Sequence, residues 1–267
     1  MISKPEGLFW LCVIAAFFLC ALLSEHIIPY KVDASNRTKM LAPPDSSNWA
    51  GTDRLGRDVF SRTLIGIKIS LYIGFAARAV ALIIGVILGI IAAYYGGFVD
   101  NIISRFVDST LAFPSLLLAI AISISIGQGY ATIVISLFLV SWAPIARLIR
   151  SAAIQLVNMP YIEAARSYGA SDMRILFLHI LPNCSSTIIV SFTSGIAATI
   201  MSESSLTFLG LGPDASVPTI GQMIYSGVHD FNAPWVILFP SFFLLLLIVS
   251  FNIFGDILRD ALDPREN

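Results

Sequence analysis

Six long apolar segments, separated by shorter polar stretches, dominate this chain. They cover residues 8–28, 71–95, 109–126, 130–149, 185–205 and 234–257. Each approaches or exceeds the roughly 20 mostly apolar residues that a helix needs to cross the hydrocarbon core of a bilayer. Only 12% of the residues are charged, against about a quarter in soluble domains. Because backbone polar groups in lipid must be satisfied within the protein, we predict an all-α integral membrane protein with six transmembrane helices.

The basic residues of the loops predict the orientation, because Lys and Arg accumulate on the cytoplasmic side. Cytoplasmic N- and C-termini agree with the short loops of the core but leave seven basic residues in the first loop outside. The chain then divides into an N-terminal transmembrane helix (1–28), an extracytoplasmic loop (29–70) and a five-helix core (71–267). The cytoplasmic basic residues are Lys4, Arg105, Arg147, Arg150, Arg166, Arg174, Arg259 and Arg265.

The connection at residues 155–182 is predicted to form two short helices joined by a glycine break. Good helix formers precede Gly169, which supplies the left-handed conformation that ends a helix. Ser171 and Asp172 are candidate caps of a second helix, and Pro182 is predicted to end it, since proline cannot continue a helix. A small, alanine-rich helix exposed between membrane spans suits docking into a cleft of another protein.

The spacing in this connection resembles the EAA loop of permease subunits of bacterial ABC importers. The resemblance rests on Glu163, Ala164, Ala165, Gly169 and a terminal Leu181-Pro182. It implies a cytoplasmic coupling helix that docks in a groove of an ATPase subunit, which supports the orientation chosen above. The implied coupling residues are Glu163, Ala164, Ala165, Gly169 and Pro182.

A second motif lies in the first loop, where residues 51–62 read GTDRLGRDVFSR. Its glycines permit turns, Thr52 or Asp53 is a candidate helix cap, and the apolar residues that follow recur at helical spacing. We therefore predict an amphipathic helix on the membrane surface, ahead of the second span. The motif resembles a signature of the dipeptide, oligopeptide and nickel branch of these permeases. It is either an outer element near a binding protein or gate, or a structural anchor of the loop. The motif residues are Gly51, Thr52, Asp53, Gly56, Arg57 and Asp58.

The fifth segment carries small and hydroxyl-bearing side chains at steps of three or four residues, and these share one helical face. Two interpretations remain open. The face lines a polar translocation path, or it packs closely against another helix, which small residues favour in membranes. The candidate path residues are Thr187, Ser191, Ser194, Ser202 and Ser205.

Two charged residues lie inside apolar segments, Arg78 in the second and Glu203 near the outer end of the fifth. Such residues usually face protein or water and often matter functionally, although Arg78 also has the alternative of extending to the outer interface. Arg105 and Asp108, three residues apart, are predicted to form a structural pair. Residues 213–234 contain several glycine and proline residues, and this segment is predicted to dip back into the membrane.

The sequence lacks the motifs that are typical of several classes of enzyme and of nucleotide-binding protein. The chain has no Gly-x4-Gly-Lys-Ser/Thr phosphate loop, no HExxH pair and no nucleophile elbow. Its three cysteines show neither a disulfide framework nor zinc spacing. A formal net charge of −1 does not indicate the strongly basic surface that nucleic-acid binding requires. We therefore expect no enzyme activity, no resident metal and no directly bound cofactor.

The resemblance extends from about Asn48 to the C-terminus and implies a permease subunit with a MetI-like transmembrane fold, located in the bacterial inner membrane and importing di- or oligopeptides by alternating access. It implies a homologous permease as heterodimer partner, two ATPase subunits that bind ATP and Mg²⁺, and an extracytoplasmic binding protein. A nickel or metal-chelate importer is the alternative. A secondary transporter is a more distant one, since inverted repeats and broken-helix sites are not evident.

Overall fold

The computed structural model describes residues 5–214 and 216–262, which fold as helices joined by loops. Five helices are long and apolar enough to cross a membrane, and a bent pair makes a sixth candidate span. The all-α prediction is thus confirmed, while the predicted cytoplasmic Lys4 and Arg265 lie outside the described residues. The membrane-length helices are α1 (Pro5–Ile27), α2 (Val59–Tyr95), α5 (Tyr130–Val157), α9 (Ser185–Phe208) and α11 (Trp235–Leu262), and the bent pair is α3 (Gly97–Leu111) with α4 (Ser115–Ile126).

Helix α2 differs from the sequence prediction because it is one uninterrupted helix of 37 residues. We predicted a separate surface helix before a span beginning at residue 71. No proline lies within α2, so the helix that begins at Val59 continues without a break through this position. At about 1.5 Å per residue, it is about 55 Å long and exceeds the hydrocarbon core of about 30 Å. The boundary at residue 70 is therefore not a boundary between structural elements.

The third apolar segment also differs, because it is not one straight helix. Helices α3 and α4 meet at an angle of 89°. Pro114 stands between them with φ −56° and ψ 123°, an extended conformation that interrupts the helix. Proline has no N–H to donate and restricts the residue before it, which explains the break. Pro144, by contrast, lies inside the continuous helix α5.

The core is centred on α2, which packs between α5 and α9. A Cβ atom added to Gly89 of α2 would lie 2.7 Å from the carbonyl oxygen of Ala146, and one added to Gly85 would lie 2.8 Å from the Cβ of Ile145. Small residues that allow backbones to approach are typical of helix contacts in membranes. On the other side of α2, Ile67 and Leu71 share a buried cluster with Ile200 of α9 and with residues of α1 and α11.

Four shorter α-helices, a π-helical turn and a 3-10 helix (Arg37–Lys39) make up the rest of the helical structure in the described residues. Helix α10 (Ile220–Gly227) lies in the segment that we predicted to dip back into the membrane. It packs against the C-terminal end of α9, where a Cβ atom on Gly221 would overlap the backbone of Ser204. The connection between α5 and α9 contains α6 (Pro160–Ser167) and α7 (Asp172–Ile175), followed by a π-helical turn (Leu176–Ile180) and α8 (Leu181–Asn183).

Candidate functional sites

The first candidate site is the connection at residues 155–182, in which Gly169 ends α6. Gly169 has φ +77°, the left-handed conformation predicted for it. The N–H of Ala170 donates to the carbonyl of Ala165 at 3.0 Å, and that of Gly169 donates to Arg166 at 2.9 Å. This pair of bonds forms a Schellman cap. The Ser171 side chain then accepts from the N–H of Arg174 and caps α7.

This connection is anchored to the ends of α2 and α5. Ile162 is fully buried in a cluster that includes Ile149 of α5 and Tyr94 of α2. The Tyr94 hydroxyl donates a hydrogen bond of 2.7 Å to the Asp172 carboxylate. The guanidinium of Arg166 lies 4.8 Å from the centre of the Tyr94 ring, a cation–π arrangement. The sequence interpretation missed these contacts, because their partners are far apart in the chain.

The opposite face of α6 is open to solvent. Glu163 and Ala164 are exposed, and Ala165 is half-buried against the anchoring cluster. Tyr168 is 92% exposed and Met173 65%, so large apolar side chains flank the open face. Large apolar side chains that are exposed outside the long helices are typical of a docking site for another protein.

Pro182 does not end the second helix, contrary to the sequence prediction. It lies within α8 (Leu181–Asn183), directly after the π-helical turn. In a π turn, hydrogen bonds join residues five apart rather than four. This change of pairing lets the helix continue through Pro182, which has no N–H to donate. Cys184, between α8 and α9, keeps right-handed helical dihedrals. Helical backbone therefore leads from the connection at residues 155–182 directly into α9.

The second candidate site is the first-loop motif, whose polar side chains are largely used within the loop. Asp58, rather than Thr52 or Asp53, caps α2 by accepting from the N–H and hydroxyl of Ser61, both at 2.7 Å. It also accepts from the Asn48 side chain at 2.9 Å. Asp53 accepts from two backbone N–H groups of the following turn and pairs with Arg57 at 2.7 Å.

The glycines of this motif are required by the geometry. Gly51 and Gly56 have φ values of +68° and +70°. A Cβ atom on Gly56 would overlap the backbone of Asn36, and one on Gly51 would lie 2.5 Å from the Trp235 ring. Nearby, the Ser47 hydroxyl and the N–H groups of Asn48 and Ser47 hold the pKa of Asp45 at about 2. The loop is thus stabilised by two glycines that have no room for a side chain and by the hydrogen bonds of Asp45.

The same motif joins the first loop to the segment before α11. The indole N–H of Trp235 donates to the Thr52 carbonyl at 3.2 Å. Arg54 pairs at 2.6 Å with Asp230, whose side chain is only 5% exposed. These contacts favour the interpretation of the motif as a structural anchor of the loop, while a role near a binding protein or gate stays a prediction.

The small-residue face of α9 is divided between two cavities. Thr187, Ser191 and Ser194 line a cavity of about 480 Å³ together with Arg259 of α11. Ser202 lines a second one, of about 220 Å³, together with Arg78 of α2. Ser205 is among the lining residues of neither cavity. Four of the five candidate path residues thus border open space, while their role in translocation stays a prediction.

The two intramembrane charges both point into the protein. Arg78 does not extend to the interface, because its Nη2 donates to the carbonyl oxygen and, at 3.1 Å, to the hydroxyl of Ser191. Glu203 is fully buried and accepts a 2.7 Å bond from Ser70 of α2. Asp108 pairs with Arg147 of α5, not with Arg105 as predicted, because α3 packs directly against α5.

The described part of the chain contains no candidate metal-binding site. Within residues 5–214 and 216–262, no three His, Cys, Asp or Glu side chains are placed to hold a metal ion. Cys184 is buried, while Cys12 and Cys20 lie apart from it on α1, and all three are free thiols.

Sequence comparison relates the chain to transport proteins. Residues 85–267 match the family described as binding-protein-dependent transport system inner membrane component. The glutathione transport system permease protein GsiD of Pectobacterium atrosepticum is 43% identical over 99% of this chain and 87% of its own length. The dipeptide transport system permease protein DppC of Alkalihalophilus pseudofirmus is 42% identical over 96% of this chain and 84% of its own length. The oligopeptide transport system permease protein OppC of Bacillus subtilis is 38% identical over 98% and 87%.

Solved structures share the fold. A chain of the MetNI methionine ABC transporter, in an inward-facing conformation, superposes with a TM-score of 0.60 at 20% identity, over 77% of this chain and 96% of that chain. A chain of an amino acid ABC transporter crystallised with histidines gives 0.59 at 15% identity, over 76% and 94%. The predicted MetI-like fold is therefore confirmed.

Proposed function

The chain belongs to the inner membrane components of binding-protein-dependent transport systems, and from this premise we propose that it is the peptide-importing permease subunit of an ABC transporter. Its relatives are permeases for glutathione, dipeptides and oligopeptides. The substrate proposed for this chain is accordingly a short peptide. Nickel or a metal chelate is the alternative that the experiment below distinguishes.

The observation that carries the proposal is the docking connection, exposed on one face and anchored on the other. Glu163 and Ala164 are open to a partner, while Ile162 and Tyr94 fasten the same connection to the transmembrane core. In the proposed complex, Ala164 and Ala165 allow close approach to an ATPase groove, and Glu163 pairs with a basic group there. Gly169 sets the angle between α6 and α7.

The proposed cycle is alternating access. Closure of two ATPase subunits around ATP and Mg²⁺ moves the docking connections together, which tilts the helices and opens the outer side to a binding protein. ATP acts on this chain only through contacts that differ between the two states. No nucleotide binds the permease itself in this proposal. Its partners are a homologous permease, two ATPase subunits and an extracytoplasmic binding protein, and both termini lie in the cytoplasm.

Uptake of a labelled dipeptide by cells that carry the chain with its operon partners tests this proposal. Gly169→Asp is expected to leave the complex in the membrane and to abolish uptake. Gly210→Asp is the matched control, because Gly169 and Gly210 have φ values of +77° and +80°, open space around a Cβ atom and the same pair of capping hydrogen bonds, but Gly210 follows the far end of α9. Its uptake should stay near the wild-type level.

Three outcomes separate the alternatives. Loss in Gly169→Asp alone, unaffected by excess chelated nickel, supports a peptide importer coupled through this connection. Normal uptake by Gly169→Asp contradicts the docking assignment. Nickel accumulation that is sensitive to Gly169→Asp, without dipeptide uptake, assigns the metal substrate instead.

A further inference from the structure

The cavity between α2, α4, α5 and α9 is lined by a partly buried cation whose hydrogen-bonding capacity is incompletely used. Arg78 enters it from α2, and its guanidinium lies over Gly195 of α9, where a Cβ atom would overlap it. The absence of a side chain at Gly195 is therefore what makes room for the guanidinium. The cavity has a volume of about 220 Å³, enough for a small charged group.

The hydrogen bonds of Arg78 leave its charge uncompensated. Nη2 donates to Ser191, but the buried Nε has no partner among the described residues. None of the ion pairs found in residues 5–214 and 216–262 includes Arg78. No Asp or Glu lines the cavity. A guanidinium presents its N–H donors in a planar fork that matches a carboxylate.

A second feature of the same cavity also favours an anion. Helix α4 begins there with Ser115 and Leu116 among the lining residues. It is 12 residues long, and no side chain caps its N-terminus. The free N–H groups and the helix dipole at such an end attract negative charge. Ser141 of α5 and Ser202 of α9 add hydroxyl groups to the lining.

We propose that this cavity binds a carboxylate of the translocated substrate, with Arg78 as the cationic partner and the N-terminus of α4 as the second anion-binding element. The inference rests on the proposed function, because a peptide carries such a carboxylate at its C-terminus. The passing anion supplies the counter-charge that Arg78 lacks in the empty protein. The same chemistry applies to the carboxylates of other short peptides, so the cavity selects a charged group rather than a particular side chain.

The test compares alanyl-alanine with its C-terminal amide in proteoliposomes that contain the complete transporter and its binding protein. The binding protein contributes its own preference equally to every permease variant. The informative quantity is therefore the ratio of free-acid to amide uptake. Arg78→Gln is expected to lower free-acid uptake about tenfold and amide uptake less than twofold. Arg78→Lys, which keeps the charge, should restore much of the ratio.

Lys68→Gln is the matched control, because Lys68 is a cation of the same helix that pairs with Glu25 in a largely exposed position. Its ratio should equal that of the wild type. An equal fall of both uptakes in Arg78→Gln indicates a purely structural role and overturns the proposal. An unchanged ratio also overturns it. If the wild-type complex transports neither form with ATP, the proposed function itself fails.

Equilibrium dialysis of the complete complex in nanodiscs, without binding protein, gives a second readout that does not depend on amide transport. We expect labelled alanyl-alanine at millimolar concentration to be retained by the wild type and displaced by unlabelled free acid, but not by the amide. Arg78→Gln should lose this retention. Absence of retention in the wild type, or equal displacement by acid and amide, contradicts a carboxylate site.

Discussion

The hydroxyl of Tyr94 and the carboxylate of Asp172 are joined by a hydrogen bond of 2.7 Å. Tyr94 lies in the last turn of α2, and Asp172 is the first residue of α7. The bond therefore links the central helix of the core to the proposed docking connection, 78 positions further along the chain. Arg166 of α6 stacks on the same tyrosine ring, so both short helices contact α2 through one side chain.

Tyr94→Phe should weaken the coupling between ATP hydrolysis and transport. The substitution keeps the ring that contacts Arg166 and removes only the hydroxyl. Hydrogen bonds to charged groups contribute about 1.5–3 kcal/mol, and partial exposure of this pair favours the lower end. We expect the number of peptides imported per ATP hydrolysed, measured in proteoliposomes, to fall about tenfold.

Tyr95→Phe is the control for this prediction. The Tyr95 hydroxyl lies 3.5 Å from the other oxygen of Asp172, which is too long for a strong hydrogen bond. Its transport ratio should match that of the wild type. Equal ratios for Tyr94→Phe and Tyr95→Phe would show that the Tyr94 bond does not contribute to coupling.

Gly89→Leu should separate α2 from α5. A Cβ atom at Gly89 would lie 2.7 Å from the Ala146 carbonyl oxygen and 3.1 Å from the Cβ of Ile149, so any side chain forces the two backbones apart. Overpacking of this kind costs about 1–3 kcal/mol. The thermal midpoint of the purified complex should fall, by comparison with Val80→Leu at an exposed position of the same helix. Equal midpoints for the two variants would contradict the close contact.

Asp58→Ala should destabilise the first loop and the start of α2. The change removes the helix cap, worth about 0.5–2 kcal/mol, and leaves the buried Asn48 side chain without its acceptor, at a further cost of about 1–3 kcal/mol. A loss of about 3 kcal/mol corresponds to a fall of roughly 6–12 °C in thermal midpoint for a protein of this size. Asp33 is an exposed acidic residue of the same loop, and Asp33→Ala should have the same thermal midpoint as the wild type. An unchanged midpoint for Asp58→Ala would rule out the cap as a major contribution.

The apolar segments and the glycine break could be predicted from the sequence because their signals are local. Hydropathy and length are enough to find spans, and Gly169 followed by Ser171 has the chemistry of a helix end and a new cap. The anchor of α6 was inaccessible for the opposite reason. Nothing near Asp172 in the chain indicates that Tyr94 is its partner, since that contact depends on how α2 packs against the connection.

The errors also have physical causes. Hydropathy identifies residues 109–126 as one apolar segment but does not give the angle of the bend at Pro114, which is 89°. The spacing rule for helices considers only neighbours three or four residues apart, and it paired Asp108 with Arg105 although α5 offers Arg147. The sequence pattern predicts that Pro182 ends the helix, because it does not reveal the π turn that precedes this residue.

The helical backbone around Pro182 has a mechanical consequence. Between Asp172 and Phe208, helical turns follow one another and no extended link intervenes. The connection therefore has no slack in which a displacement of α7 is lost before it reaches α9. Residues 168–171 link α6 to that unit without regular helix, with Gly169 at φ +77° and Ser171 in an extended conformation. A rotation of α6 relative to α7 therefore has to occur within these four residues, while the helical backbone that begins at Asp172 moves with α9.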